Sequence, residues 1–239
     1  MAIEGNHLSE GACYQNRDAR DIALVRVLRV AHKLFAEASV IQNLDRLQAI
    51  RAAGFPIEDI HALAMTFDPP FLDAFKIATS FENLFKAELI AFGHVVHKID
   101  KRARGGTFRT LAEQQTTRPI RLSELRKLEG TSWRRQGQFT IVGLTHETLT
   151  LGQLTNQNNR YRQSLRLSQQ VLSALKFVRQ QRNTVHFVVN DIGSFGNCVV
   201  DWYLCLRAAM NRRLLPRYQA IINKYDHLRG SAQWHLQEI

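Results

Sequence analysis

The chain has 239 residues, of which 45% are hydrophobic, so it can bury a substantial core without disulfide or metal support. Its 32 Lys and Arg residues exceed its 21 Asp and Glu residues, and the resulting net charge of +11 favours a polyanionic partner such as nucleic acid. The sequence lacks a run of about 18 apolar residues, a secretory signal and Cys-x-x-Cys spacing, so we expect a cytoplasmic protein with no membrane span, zinc site or disulfide framework.

The N-terminal residues 1–19 are polar and follow no apolar pattern, which is typical of an arm or an irregular lead-in. After Asp18 or Asp21 the pattern changes, because apolar side chains recur at steps of three and four residues as far as Phe35. This spacing predicts an amphipathic helix.

Two shorter helices are predicted next. The first has its apolar positions at residues 40–50 and stops at Gly54, a residue type that commonly terminates helices. Pro56 opens the other at its first turn, where Glu58 and Asp59 complement the positive end of the helix dipole.

The longest predicted helix begins after Pro70 and continues to about Arg104, before Gly105 and Gly106. One apolar stripe supports it, made of Ile77, Phe81, Leu84, Phe85, Leu89, Phe92, Val96 and Ile99. Glu82 and Lys86 lie four residues apart on this helix, and we expect an exposed ion pair between them.

An irregular insertion is predicted for residues 105–158, since glycines, threonines and Pro119 interrupt the helical periodicity. One short helix is predicted at residues 122–128. Residues 139–144 and the alternation at 149–151 fit either short strands or a turn followed by a helix.

The positive charge is concentrated in one segment. Between Lys101 and Arg135 the chain has ten Lys or Arg residues against three Glu. Because a phosphate backbone attracts such clusters, this segment is a candidate RNA-binding surface. Within it, the candidate RNA-binding residues are Lys101, Arg102, Arg104, Arg134 and Arg135.

Helical periodicity returns at Arg160 and persists to Val178. A glycine-containing break near residues 191–196 precedes a last long helix, which Pro216 is expected to kink or end. Cys198 and Cys205 are predicted to be small buried residues without chemistry of their own. His94 and His97 have no carboxylate at ligand spacing and are expected to be structural, so no metal site is predicted.

Arg179, Arg182 and His186 have the spacing i, i+3 and i+7. On a continuous helix they fall within about 60° of one another and share a face. Two permanent cations beside an imidazole, whose unperturbed pKa is about 6.5, could hold a phosphate and move a proton. The same residues could also simply finish a surface helix, where cations complement the dipole.

This motif resembles that of the HEPN superfamily, a set of helical domains found in bacterial toxins and phage-defence proteins. The family signature is an Arg followed by a polar residue and then a His, with four to six residues between the Arg and the His. Arg182 and Asn183 supply the Arg-polar pair, but three residues separate Arg182 from His186, whereas six separate Arg179 from His186. Either arginine could therefore match the family position.

The resemblance implies an all-α, HEPN-like helical bundle formed by residues 20–239, carrying the basic insertion. It also implies a metal-independent endoribonuclease, in which the 2′-hydroxyl attacks the adjacent phosphate without a cofactor. His186 would be the general acid or base, Arg179 and Arg182 would hold the phosphate, and Asn183 would orient it.

HEPN proteins tend to form homodimers in which two motifs share a cleft, so we expect RNA and a second copy of the chain as partners. The family setting adds an antitoxin or a defence-complex protein as a possible regulator. Two alternatives have the same fold: a non-catalytic RNA- or protein-binding module, and an adaptor that neutralises an acidic protein.

Overall fold

The structure is a computed structural model, and it describes residues 14, 17–54, 56–101, 106–126, 135–136, 140–141, 144–183, 197–225 and 236–239. Helices predominate in these ranges, which confirms the predicted all-α class. The described strands have two to five residues and form antiparallel pairs. No helix in the described ranges combines the length and apolar character needed to cross a bilayer.

The chain forms two compact units. The first contains Met1–Val27 and Phe85–Arg166, and the second contains Leu28–Leu84 and Leu167–Ile239. Two helices, α1 (Arg17–Ala36) and α5 (Pro70–Ala91), contribute residues to both units. The segment predicted to be an irregular insertion belongs to the first unit.

The first unit has more regular structure than the sequence indicates. Its other elements are β1 (His94–Val95), β2 (His97–Ile99), α6 (Gly106–Gln115), β3 (Ile120–Arg121), α7 (Leu122–Arg126), β4 (Arg135–Gln136), β5 (Thr140–Ile141), β6 (Leu144–Thr148), α8 (Leu151–Thr155) and α9 (Tyr161–Ser164). Strand β1 pairs with β3, β2 with β6, and β4 with β5. The predicted short helix is present as α7.

The ambiguity at residues 139–151 is resolved within this unit. Strands β5 and β6 form in its first part. Leu151 instead begins α8, because Thr150 and Gln153 form a capping box in which each side chain accepts a hydrogen bond from the other's backbone N–H.

Tyr14 ties the N-terminal lead-in to β2. Its buried phenol oxygen accepts hydrogen bonds from the backbone N–H groups of Val96 at 2.9 Å and His97 at 3.3 Å. With both lone pairs occupied, the hydroxyl donates its proton to His97 Nδ1 at 3.0 Å. The predicted polar arm therefore includes a packed residue at position 14, and α1 begins at Arg17.

An ion pair joins the turn before β3 to helix α7. The Arg118 guanidinium donates to both Glu124 carboxylate oxygens, at 3.1 and 2.7 Å, and the Arg121 backbone N–H donates to Oε1 at 2.8 Å. Glu124 thus caps the first turn of α7. The hydrogen bonds from Arg118 are the main reason that the pKa of Glu124 lies below its ordinary value, although partial burial opposes them.

Glu124→Gln is expected to lower the free energy of unfolding by about 1–2 kcal/mol at neutral pH, because the charge-assisted bonds are lost. A carboxyl whose pKa is lowered by folding stabilises the fold above its unfolded pKa, and this contribution disappears as the pH falls through the folded pKa. The difference between native and variant should therefore shrink below the ordinary pKa of 4.5.

Urea unfolding at several pH values measures this difference. Glu113→Gln is the matched control, since Glu113 pairs with Arg109 at 3.3 Å on the exposed surface of α6 and should contribute little at any pH. A difference between native and Glu124→Gln that does not change with pH would contradict the assignment.

The second unit is helical in its described part. Besides parts of α1 and α5, it contains α2 (Ser39–Gln42), α3 (Leu44–Ala52), α4 (Ile57–Ala64), α10 (Gln169–Asn183) and α11 (Asn197–Ile222). Its buried apolar side chains include Phe35, Leu44, Ile77, Phe81, Leu175, Val178, Leu206 and Leu214. The predicted helix after Pro56 is present as α4, and α11 continues through Pro216.

Aromatic and charged contacts fix α11 within this unit. Phe177 of α10 packs against Trp202 and Tyr203, with ring centroids 4.7 and 6.1 Å apart. Two ion pairs join α3 to α11. Arg51 pairs with Asp201 at 2.5 Å, and Asp45 pairs with Arg207 at 2.7 Å. Their order along the chain requires α3 and α11 to run antiparallel.

Asp73 of α5 is buried and caps helix α2. Its carboxylate accepts hydrogen bonds from the Ser39 backbone N–H at 2.7 Å, the Ser39 hydroxyl at 2.7 Å and the Val40 N–H at 2.8 Å. The Ser39 oxygen also accepts from the Asp68 N–H at 2.7 Å. A single carboxylate thus satisfies N–H groups that α2 itself leaves unpaired.

The prediction that the longest helix continues to Arg104 is wrong. Helix α5 ends at Ala91, and Gly93 has a φ of +78°, a conformation that other residues rarely adopt. Strands β1 and β2 follow. The predicted helix at residues 40–50 is divided between α2 and α3 at Asn43, and the helix predicted from Arg160 is divided between α9 and α10.

Burial also corrects several side-chain predictions. Cys198 is exposed and Cys205 partly exposed, so neither is the buried residue that the sequence suggested. Partial burial still raises the pKa of the Cys205 thiol. Glu82 and Lys86 are half-buried rather than exposed, and the Lys86 ammonium donates to Thr148 Oγ1 at 2.7 Å.

Candidate functional site

Helix α10 carries the two arginines of the predicted site. Its buried residues Val171, Leu175 and Val178 recur at four and three residues, which produces one apolar face. Arg182 follows Val178 by four residues and therefore continues this face. Arg179 lies about 60° away around the helix axis, so the two residues lie on the same side of α10.

The Arg182 side chain is half-buried and contacts an aromatic ring. Its guanidinium carbon lies 5.3 Å from the centre of the Phe75 ring on α5, within the range of a cation–π interaction. The sequence pattern did not identify Phe75 as a site residue. The available signal was an aromatic residue on α5 outside the apolar stripe that begins at Ile77.

Arg179 has a different environment. Its side chain is exposed, and it makes no hydrogen bond or ion pair within the described part of the chain. Helix α10 contains Lys176, Arg179 and Arg182 but no Asp or Glu. This helix therefore presents cationic side chains without an acidic residue of its own to neutralise them.

Two further predicted site residues lie at or beyond the described end of α10. Asn183 is the last described residue of the helix, and the position of its side chain is not described. His186 lies outside the described residues. Its position on the face formed by Arg179 and Arg182 stays a prediction.

The predicted RNA-binding residues are described in part. Lys101 is exposed, and Arg135 belongs to β4, whereas Arg102, Arg104 and Arg134 lie outside the described residues. Two other cations of the same segment are paired, Arg109 with Glu113 and Arg118 with Glu124. Ion pairs within the first unit thus neutralise part of the local positive charge.

The two histidines near α5, His94 and His97, belong to the first unit. His94 in β1 is half-buried, and this desolvation lowers the pKa of its imidazole below the ordinary value. His97 is buried and bonded to Tyr14. Within the ranges that the structure describes, no three His, Cys, Asp or Glu side chains gather as they would around a metal ion.

The two arginines could therefore act differently on a ligand. Arg179 is accessible to an anion in solution, and Arg182 presents a planar cation held against an aromatic ring. The chain matches no protein-family model, no curated protein and no solved structure with which it was compared.

Proposed function

We propose that this chain is a metal-independent endoribonuclease of the HEPN type. The supporting observation is that α10 carries Arg179 and Arg182 on one side and contains no acidic residue. Guanidinium groups retain their charge at all physiological pH values and bind phosphate oxygens through several N–H groups at once. Such a pair can hold the phosphodiester that is to be broken.

The proposed reaction is an internal transesterification. The ribose 2′-oxygen attacks the adjacent phosphorus, its proton leaves to a base, and the 5′-oxygen of the next nucleotide leaves with a proton from an acid. The products are a 2′,3′-cyclic phosphate and a 5′-hydroxyl. His186 transfers a proton in this proposal, Arg179 and Arg182 stabilise the charge that grows on the phosphate, and Asn183 orients it.

One histidine cannot serve as the base and the acid in the same step. We therefore propose a homodimer in the cytoplasm, in which the motifs of two chains act on one phosphate. An antitoxin or a defence-complex protein would regulate it. Sedimentation of the chain at several concentrations would show the dimer or exclude it.

The test uses the full chain, EDTA, an RNA oligonucleotide and a DNA oligonucleotide of the same sequence. We expect the RNA to be cleaved to products with cyclic phosphate ends and the DNA to stay intact, since DNA has no 2′-hydroxyl. Cleavage of both strands, or loss of cleavage in EDTA, would contradict the proposal.

A non-catalytic RNA-binding module is the second candidate. The contact between Arg182 and Phe75 is consistent with it, because a guanidinium over an aromatic ring offers a surface on which a nucleobase can stack without any reaction. This candidate predicts RNA binding that weakens steeply with salt, without any product.

A further inference from the structure

Phe75 is a large aromatic residue on the surface of the second unit. Its side chain is 47% exposed, although other aromatic residues of α5, such as Phe81, are fully buried. Exposing a phenyl ring to water is unfavourable by itself. A solitary exposed aromatic is ordinary, so the meaning of Phe75 depends on its neighbours.

The neighbour of Phe75 is a cation. The Arg182 guanidinium lies over the ring, 5.3 Å from its centre, while nearly half of the phenylalanine side chain stays accessible. Both groups are planar, and planar groups of this kind stack on nucleobases. The pair therefore offers an aromatic surface and a delocalised cation side by side.

The charges around the pair favour an anionic ligand. Helix α10 contributes Arg179 on the same side as Arg182, and no acid. Two nearby carboxylates are occupied, because Asp73 on α5 caps α2, and Asp68, just before α5, pairs with Lys76 at 2.8 Å. Glu82 lies two turns further along α5 and is half-buried. A ligand that combines negative charge with flat apolar rings fits better than an acidic peptide, which lacks the rings.

We propose that Phe75 and Arg182 form a stacking platform for one unpaired nucleobase of an RNA strand, whose phosphate contacts Arg179. The inference rests on the proposed function, because the ligand is the RNA of that reaction. It adds that the substrate is single-stranded at this position. In a duplex, both faces of each base are already covered by neighbouring bases.

The test measures affinity without cleavage. The probe is a fluorescent oligouridylate of about ten nucleotides, a length within the range of single-stranded sites. All its 2′-hydroxyls are methylated, so that internal attack cannot occur. The native full chain is compared with Phe75→Leu, which retains apolar volume but lacks the ring, and with Phe75→Tyr, which retains the ring.

We expect Phe75→Leu to weaken binding by about 5- to 150-fold, the range for losing one base–aromatic stack. Phe75→Tyr should bind nearly as the native chain does. Met65→Ala is the control, since Met65 is 88% exposed in the same unit and its removal should leave affinity unchanged. Circular dichroism checks that each variant is folded.

A second probe of equal length and charge lacks the bases. The native chain should bind this abasic strand about as weakly as the Phe75→Leu variant binds the oligouridylate. The Phe75→Leu substitution should not weaken binding of the abasic strand any further. If Phe75→Leu weakens binding of both probes equally, or of neither, the proposed stacking platform is wrong. A duplex probe that competes as well as the single strand would also overturn it.

The outcome separates this inference from the proposed function. A ring-dependent and base-dependent loss of binding without any RNA cleavage supports the platform and rejects the ribonuclease. Cleavage of RNA with affinity independent of Phe75 supports the ribonuclease and rejects the platform.

Discussion

Replacing His186 with alanine is expected to slow RNA cleavage by about 100- to 10,000-fold, the usual contribution of a general acid or base. The substitution removes the proposed proton-transfer group but leaves Arg179 and Arg182 in place. Binding of the methylated oligouridylate should therefore change little. Initial rates in EDTA and the affinity for this probe measure the two effects separately.

His32→Ala is the matched control for this experiment. The His32 imidazole contacts the backbone carbonyl of Gln237 at 2.8 Å, and the proposal gives it no part in the reaction. Cleavage at equal rates by the native chain and both variants would indicate a contaminating ribonuclease or a mechanism without His186. Loss of activity in His32→Ala alone would also contradict the assignment.

Arg179→Ala and Arg182→Lys extend the test to the arginines. Arg179→Ala removes the exposed guanidinium and should reduce both binding and rate. Arg182→Lys keeps the charge but replaces the planar group that lies over Phe75, so a loss of affinity would assign importance to shape rather than charge. Comparing the two variants would decide which arginine serves as the phosphate-binding arginine of the proposed HEPN motif.

Asp73→Ala is expected to lower the free energy of unfolding by about 3–5 kcal/mol. The side chain is only 3% exposed, and its loss would leave the N–H groups of Ser39 and Val40 and the Ser39 hydroxyl without their acceptor. Each buried donor left unsatisfied costs about 1–3 kcal/mol. Urea unfolding followed by circular dichroism would measure the loss.

Asp45→Ala is the control of the same residue type in the same unit. Asp45 pairs with Arg207, but its side chain is 82% exposed, and such surface pairs contribute at most about 1 kcal/mol. Asp73→Asn is the intermediate case, because its amide retains one acceptor oxygen but directs N–H groups at donors. Equal effects of the Asp73→Ala and Asp45→Ala variants would show that the α2 cap contributes no more than a surface pair.

Local sequence signals were sufficient for several helices. Pro56 with Glu58 and Asp59 predicted the start of α4, and the buried residues of α10 recur at the spacing that the sequence displays. These signals act within a few residues, through backbone geometry, the helix dipole and side-chain periodicity. They do not depend on the rest of the chain.

The end of α5 depended on distant residues. The apolar residues Phe92, Val96 and Ile99 continue the helical spacing, so periodicity alone extends the helix. In the structure, Val95 pairs with Ile120 and Ile99 with Leu144, and strands form because of these partners. A strand pairing between distant segments is not visible in the spacing of one of them.

The sequence by itself determined the all-α class and the spacing of Arg179 and Arg182 on one helix, because both follow from local periodicity. Only the tertiary structure decided that Arg182 lies over Phe75, that Arg179 stays exposed and that Asp73 caps α2. Each of these depends on packing between segments far apart in the chain. A side chain's neighbours are fixed by that packing, whereas the periodicity that marks the helix carrying it can be read from adjacent residues.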